Sequence, residues 1–163
     1  MSGTRTIMGI DPGLATTGVA VLKIRNGNPV EAGWDCLRTK AGVDFPDRLD
    51  TLYEAARKAI RKYGPDVIAM ERLFFTKNVR TAMSVGHAIG VIVLSAAKEK
   101  VKVVEYNPMQ VKQAVTGSGT SGKKDVAMMV TRLLGLESQP KPDDAADALA
   151  VAYCHFSGTR GRP

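Results

Sequence analysis

Apolar residues fall into short runs and helical stripes that alternate along the chain. Thr6-Ile7-Met8-Gly9-Ile10-Asp11 reads as a buried strand, and Asp11-Pro12-Gly13 as the turn that stops it. Thr17 to Ile24 and Val30 to Leu37 follow as two further strands, joined through Asn26-Gly27-Asn28, a tight hairpin signal. The chain is thus expected to open as a three-stranded antiparallel meander. From Pro46 the period changes. Leu49, Leu52, Tyr53, Ala56, Ile60 and Tyr63 recur at three- and four-residue spacing, the stripe of a half-buried helix that Gly64 ends.

Asp66-Val67-Ile68-Ala69-Met70-Glu71 is a second short apolar run closed by a carboxylate. A long helix is expected from about Asn78 to Lys98, then a strand over Val101 to Tyr106, and helices near Met109 to Val115 and Lys123 to Leu134. Pro142-Asp143-Asp144 opens a last, alanine-rich helix. Three antiparallel strands followed by alternating helix and strand describe an α/β fold, a mixed sheet with helices on both faces. Residues 1–157 are read as a single domain and 158–163 as a flexible basic tail.

Composition changes this picture only in its charge. A hydrophobic share of 44% with 24% charged residues is ordinary for a globular domain of 163 residues. Lys and Arg exceed Asp and Glu by 23 to 16, a formal charge of +7 that would attract a polyanion. Cys36 and Cys154 lie far apart with no C-x-x-C spacing, and Met-Ser-Gly-Thr-Arg is no signal peptide, so a reducing cytoplasm is expected. The most apolar stretch, Ala88 to Ala97, is about half of what a bilayer crossing needs, so no membrane segment is expected.

Four acidic residues carry the candidate chemistry. Asp11 and Glu71 each close an apolar run, and strand ends are where open α/β sheets gather their ligands. Asp144 and Asp147 stand three apart on one helix, hence on one face. Adjacent carboxylates repel unless a cation compensates, so the set suggests a two-metal site for phosphodiester hydrolysis. Each also has a plainer reading: a turn-forming Asp11, a solvated strand terminus at Glu71, and helix capping, which explains Asp143 better than Asp147.

Two other segments compete for attention. Gly117-Ser118-Gly119-Thr120-Ser121-Gly122-Lys123-Lys124 nearly fits a nucleotide-binding P-loop, but Lys124 replaces the magnesium-binding hydroxyl and the preceding segment reads as helix, not strand. Lys112, Lys123 and Lys124 around that loop instead suit contacts to a nucleic-acid backbone, and Phe74-Phe75 after Glu71 offers an aromatic to stack on an unpaired base. Gly86 and Gly90 would let another helix approach closely, either within the core or across a subunit contact. His87 beside them reads as a packing residue.

The Ile-Asp-Pro-Gly turn, the Met-Glu strand end, the Val-Lys-Gln segment and Asp-Ala-Ala-Asp-Ala-Leu-Ala, in this order, resemble the RuvC Holliday-junction resolvases over about residues 7 to 156. The resemblance implies a ribonuclease-H-like fold, a homodimer, and catalytic, metal-binding carboxylates at Asp11, Glu71, Asp144 and Asp147. It further implies a base-stacking aromatic at Phe74, functional lysines at Lys112 and Lys123, and partnership with the RuvA and RuvB branch-migration proteins. The activity implied is paired, symmetric cutting of four-way DNA junctions with two Mg2+ or Mn2+ ions per subunit, leaving 5′-phosphate and 3′-hydroxyl ends. Asp11 is the expected bridge between the ions. Competing readings are a ribonuclease-H-like nuclease for RNA/DNA hybrids or of the YqgF type, a non-catalytic junction-binding module, and, more remotely, an actin-type ATPase.

Overall fold

The runs and stripes become five strands and five helices among the residues described by the computed structural model, 3–73 and 79–159. In chain order these are β1 (Arg5–Asp11), β2 (Thr16–Arg25), β3 (Asn28–Arg38), α1 (Phe45–Tyr63), β4 (Val67–Glu71), α2 (Val79–Lys98), β5 (Lys102–Tyr106), α3 (Pro108–Thr116), α4 (Lys123–Leu133) and α5 (Asp143–Thr159). Helix α5 runs through Gly158 and Thr159, the first two residues of the expected tail. The rest of that tail lies outside the described residues.

The strands form one sheet in the order β3-β2-β1-β4-β5. β1, β2 and β3 pair antiparallel, whereas β4 runs parallel to both β1 and β5. The hairpin between β2 and β3 turns on Asn26 and Gly27, with φ of 53° and 73°, the doubly positive pair that matches the strand twist. Asp66 pins the entry of β4 to β1: its carboxylate accepts from the Thr6 amide at 2.7 Å, and its own amide donates to the Thr6 carbonyl at 2.9 Å.

Strand alternation sorts the core into two layers. Ile7, Val67 and Ala69 pack on the side of α5, whereas Met8, Ile10, Ile68 and Met70 pack with α1 and α2 on the other. The expected stripe on α1 is realised in buried Leu52, Ala56 and Ile60. Helix α5 lies on β1 and β2 at unusually close range, because a Cβ at Gly9 would overlap the Ala148 carbonyl oxygen and one at Gly18 the Asp144 carbonyl oxygen. A polar chain also ties it to the sheet. Arg5, which can only donate, bonds His155 Nε2 at 2.9 Å; the other ring nitrogen therefore carries the proton and donates to Tyr106 Oη at 2.8 Å.

Helix α2, by length and composition alone, is apolar enough to cross a bilayer. Here it packs against α1, with Ala88, Ile92, Ser95 and Ala96 buried. Among the described residues a Cβ at Gly90 would meet nothing within 4 Å and one at Gly86 only Leu73, so packing within the described core does not explain the glycine pair. His87 is held locally by the Met83 carbonyl at 2.7 Å and lies edge-on to Phe45. The loop of residues 117–122 joins helix α3 to helix α4, which removes the P-loop reading, since no strand precedes it.

Candidate active site

Alternation along β1 dictates where Asp11 points. Ile7, Gly9 and Asp11 share the face toward α5, and on β4 so do Val67, Ala69 and Glu71. The parallel register runs from Ile7 opposite Val67 to Ile10 opposite Met70, so Asp11 and Glu71 come one step later, side by side at the strand ends. At the same level Gly18 pairs with Asp11, Cys36 with Gly18, and Tyr106 with Glu71. The turn after Asp11 is fixed by Thr17, fully buried, whose hydroxyl donates to the Gly13 carbonyl at 2.7 Å.

Helix α5 supplies the other pair. It is entered through a cis Lys141–Pro142 bond, and its first turns cross over Gly18, the position whose missing side chain lets Asp144 come down to the sheet. Asp147, one turn on, faces a cleft of about 470 Å³ lined also by Asp11, Glu71, Arg72, Leu73, Pro108, Lys112 and Lys123. Asp144 stands beside that cleft and outside its lining, yet near enough to act on Asp11. Asp143 is exposed in the first helical turn, as a capping residue would be. Phe74 and Phe75 lie outside the described residues.

The electrostatics are those of crowded carboxylates. Burial, then the charges of Asp147, Glu71 and Asp144, push the Asp11 carboxyl from 3.8 up to about 7, with Lys123 opposing them. Burial and Asp147 raise Glu71 likewise, against Lys123 and Lys112. Lys123 Nζ donates to Asp147 Oδ2 at 2.9 Å, which raises the lysine further above its ordinary range. Among the described residues no trio of His, Cys, Asp or Glu side chains is already closed to metal-ligating distances. The donor set is nonetheless all carboxylate oxygen, the chemistry preferred by Mg2+, Mn2+ and Ca2+, and the lysine ammonium already sits against one of its members.

A pH dependence of stability follows. Because the folded pKa of Asp11, about 7, lies above its ordinary 3.8, the folded state binds this proton more tightly than the unfolded one and loses that advantage as pH rises through the interval. With divalent ions chelated, the melting temperature of the wild type relative to Asp11→Asn should fall as pH rises from about 4 to about 7. A difference constant across that range, read by scanning calorimetry, would contradict the proposed crowding.

Comparison with known proteins decides the family. Residues 7–155 match the family model of the crossover junction endodeoxyribonuclease RuvC. The chain belongs to the RuvC family. A curated RuvC of Moorella thermoacetica is 50% identical over 151 residues, 93% of this chain and 90% of its own length. A solved structure of Thermus thermophilus RuvC in complex with a Holliday junction substrate is 32% identical and superposes with a TM-score of 0.89, covering 96% of this chain and 95% of that one. The yeast mitochondrial Holliday junction resolvase shares the fold at 16% identity and a TM-score of 0.67, over 96% of this chain and 81% of its own. The mixed sheet flanked on both faces is therefore the ribonuclease-H-like architecture expected from the resemblance, and the chain is an endodeoxyribonuclease.

Sequence reasoning did not single out Arg72, which stands on the rim of the same cleft. The signal was a cation directly after the second carboxylate.

Proposed function

We propose that this RuvC-family chain resolves four-way DNA junctions by paired, symmetric cuts, with Asp11, Glu71, Asp144 and Asp147 holding two Mg2+ or Mn2+ ions per subunit. The observation that carries the reading is the convergence of two strand-end carboxylates with Asp147 in a cleft whose other polar lining is cationic. Bound divalent ions would lower the pKa of the attacking water and offset charge on the leaving 3′ oxygen. Asp11 would be the ligand shared by both ions, since it ends the central strand and stands near enough to Glu71, Asp144 and Asp147 to feel all three charges.

The chain's own residues do the rest. Lys112 draws the scissile strand into the cleft, and Lys123, released from Asp147, offsets charge on the phosphate. Lys123→Ala should therefore lower single-turnover cleavage by about 10²- to 10³-fold while weakening junction affinity only a few-fold. Equal losses in both would make it a substrate anchor alone. Phe74 is proposed, on family grounds, to stack on a base beside the cut.

Symmetric cutting requires two sites related by a two-fold axis, hence a homodimer. Helix α2 supports this: Met83 and Leu94, 60% and 49% exposed, line a shallow groove together with Gly86 and Gly90, and Val79, 68% exposed, lines the groove beside it. Met83→Glu with Leu94→Glu should give a folded monomer in sedimentation experiments, and an unchanged dimer would move the interface elsewhere. Partnership with RuvA and RuvB and a cytoplasmic setting are carried over from the family, the latter in keeping with two unpaired cysteines.

The substrate is tested by offering end-labelled four-way junction, matched duplex and RNA/DNA hybrid with Mg2+, Mn2+ or EDTA. Junction cleavage that EDTA abolishes is expected. Preferential cutting of the hybrid would favour a ribonuclease, and binding without cutting in either metal a structural module.

A further inference from the structure

Arg72 is built into the cleft rim more firmly than an ordinary surface arginine. Its amide donates to the Tyr106 carbonyl at 2.8 Å, which carries the β4–β5 ladder one residue past Glu71 and fixes the backbone from which the side chain projects. The side chain lines the same cleft as Asp11, Glu71, Lys112 and Lys123, yet is 61% exposed. The ion pair it makes among the described residues is a long one, Nε to Glu105 Oε2 at 3.4 Å, on the edge strand β5.

The cations of the cleft are thus committed differently. Lys123 is bonded to a carboxylate of the cleft floor at 2.9 Å, whereas Arg72 holds a half-exposed carboxylate across water-facing rim. An exposed pair of that geometry contributes little. A DNA phosphate offers the guanidinium two parallel N–H···O bonds and releases condensed counterions on binding, so it should displace a single-point contact to Glu105. Lys at the same place would supply only a point charge.

We propose that Arg72 is a phosphate-gripping residue of the DNA-binding surface and that Glu105 is its resident counterion, exchanged for a backbone phosphate as the junction enters the cleft. The exchange rests on the chain acting on DNA. Glu105 also keeps Arg72 from holding non-specific polyanions as tightly as a free guanidinium would.

Fluorescence anisotropy of a labelled four-way junction, titrated in EDTA across a salt series, tests this with wild type, Arg72→Ala, Glu105→Gln and the double variant. Arg72→Ala should weaken binding and lower the slope of log affinity against log salt by about 0.9 per engaged protomer, without a change in melting temperature beyond about 1 °C. Glu105→Gln should bind roughly two- to fivefold tighter. In the Arg72→Ala background the same Glu105 change should do nothing. An unchanged salt slope in Arg72→Ala overturns the phosphate contact. Equal tightening by Glu105→Gln in both backgrounds reduces its effect to net charge and overturns the exchange. Wild type that binds no junction at all removes the substrate reading itself, a failure separable from either of these.

Discussion

Asp11→Asn should abolish junction cleavage, by on the order of 10³-fold or more, while leaving junction affinity intact and the metal-free protein more stable. The three effects have one cause. Asp11 ends the central strand with its side chain under α5, next to Glu71 and within reach of Asp147 and Asp144, so its ionised form is disfavoured by burial and by three like charges. The amide keeps the shape and removes that penalty, which predicts a higher melting temperature in EDTA at pH 8. It also removes the oxygen proposed to bridge the cations, and charge stabilisation of several kcal/mol corresponds to at least a thousandfold in rate. Single-turnover cleavage with Mn2+ and calorimetric melting in EDTA measure the two sides. Retained turnover would remove Asp11 from the bridging role, and a lowered melting temperature would contradict the crowding.

Gly18→Ala should be the most damaging single methyl in the site. Gly18 is buried on β2, paired with Asp11, and its missing side chain is filled by the backbone carbonyl of Asp144. Backbone at that position cannot swing aside as a flexible side chain does, so α5 must lift from the sheet at the turn that carries Asp144. Forcing an extra methyl into packed interior costs about 1–3 kcal/mol. The expected result is a fall of several degrees in melting temperature together with a loss of cleavage larger than that of stability. Gly33→Ala on β3, whose added carbon would meet nothing within 4 Å, is the control and should leave both unchanged. Full cleavage in Gly18→Ala would show that the depth of Asp144 does not matter to the site.

Most of the fold was legible because the sequence wrote it in periods. The hairpin turned at Asn26-Gly27, and the α1 stripe buried Leu52, Ala56 and Ile60 as its spacing required. Asp11 and Glu71 were visible as carboxylates closing apolar runs, but that they would touch one cleft depended on β4 pairing with β1, a long-range fact no local pattern encodes. The parity that turns both toward α5 follows from that pairing and the strand period. Asp144 and Asp147 shared a helix face as expected, yet only Asp147 lines the cleft, because the tilt of α5 over Gly18 is set by packing. The Gly86–Gly90 pair was ambiguous between core and contact, since sequence spacing cannot say which side of a helix meets solvent. Arg72 was missed for a similar reason: its rim position follows from the β4–β5 ladder.

If two such sites act together on one junction, a supercoiled plasmid extruding a cruciform should be cut in both strands within a single binding event. Incubation with Mg2+ for less than one binding lifetime, followed by gel separation and ligation, distinguishes paired from independent cuts. Linear molecules with ends that ligate are expected, formed without accumulation of nicked circles and absent in Asp11→Asn. Nicked circles that build up first, or product unchanged in Asp11→Asn, would contradict joint action of the two sites.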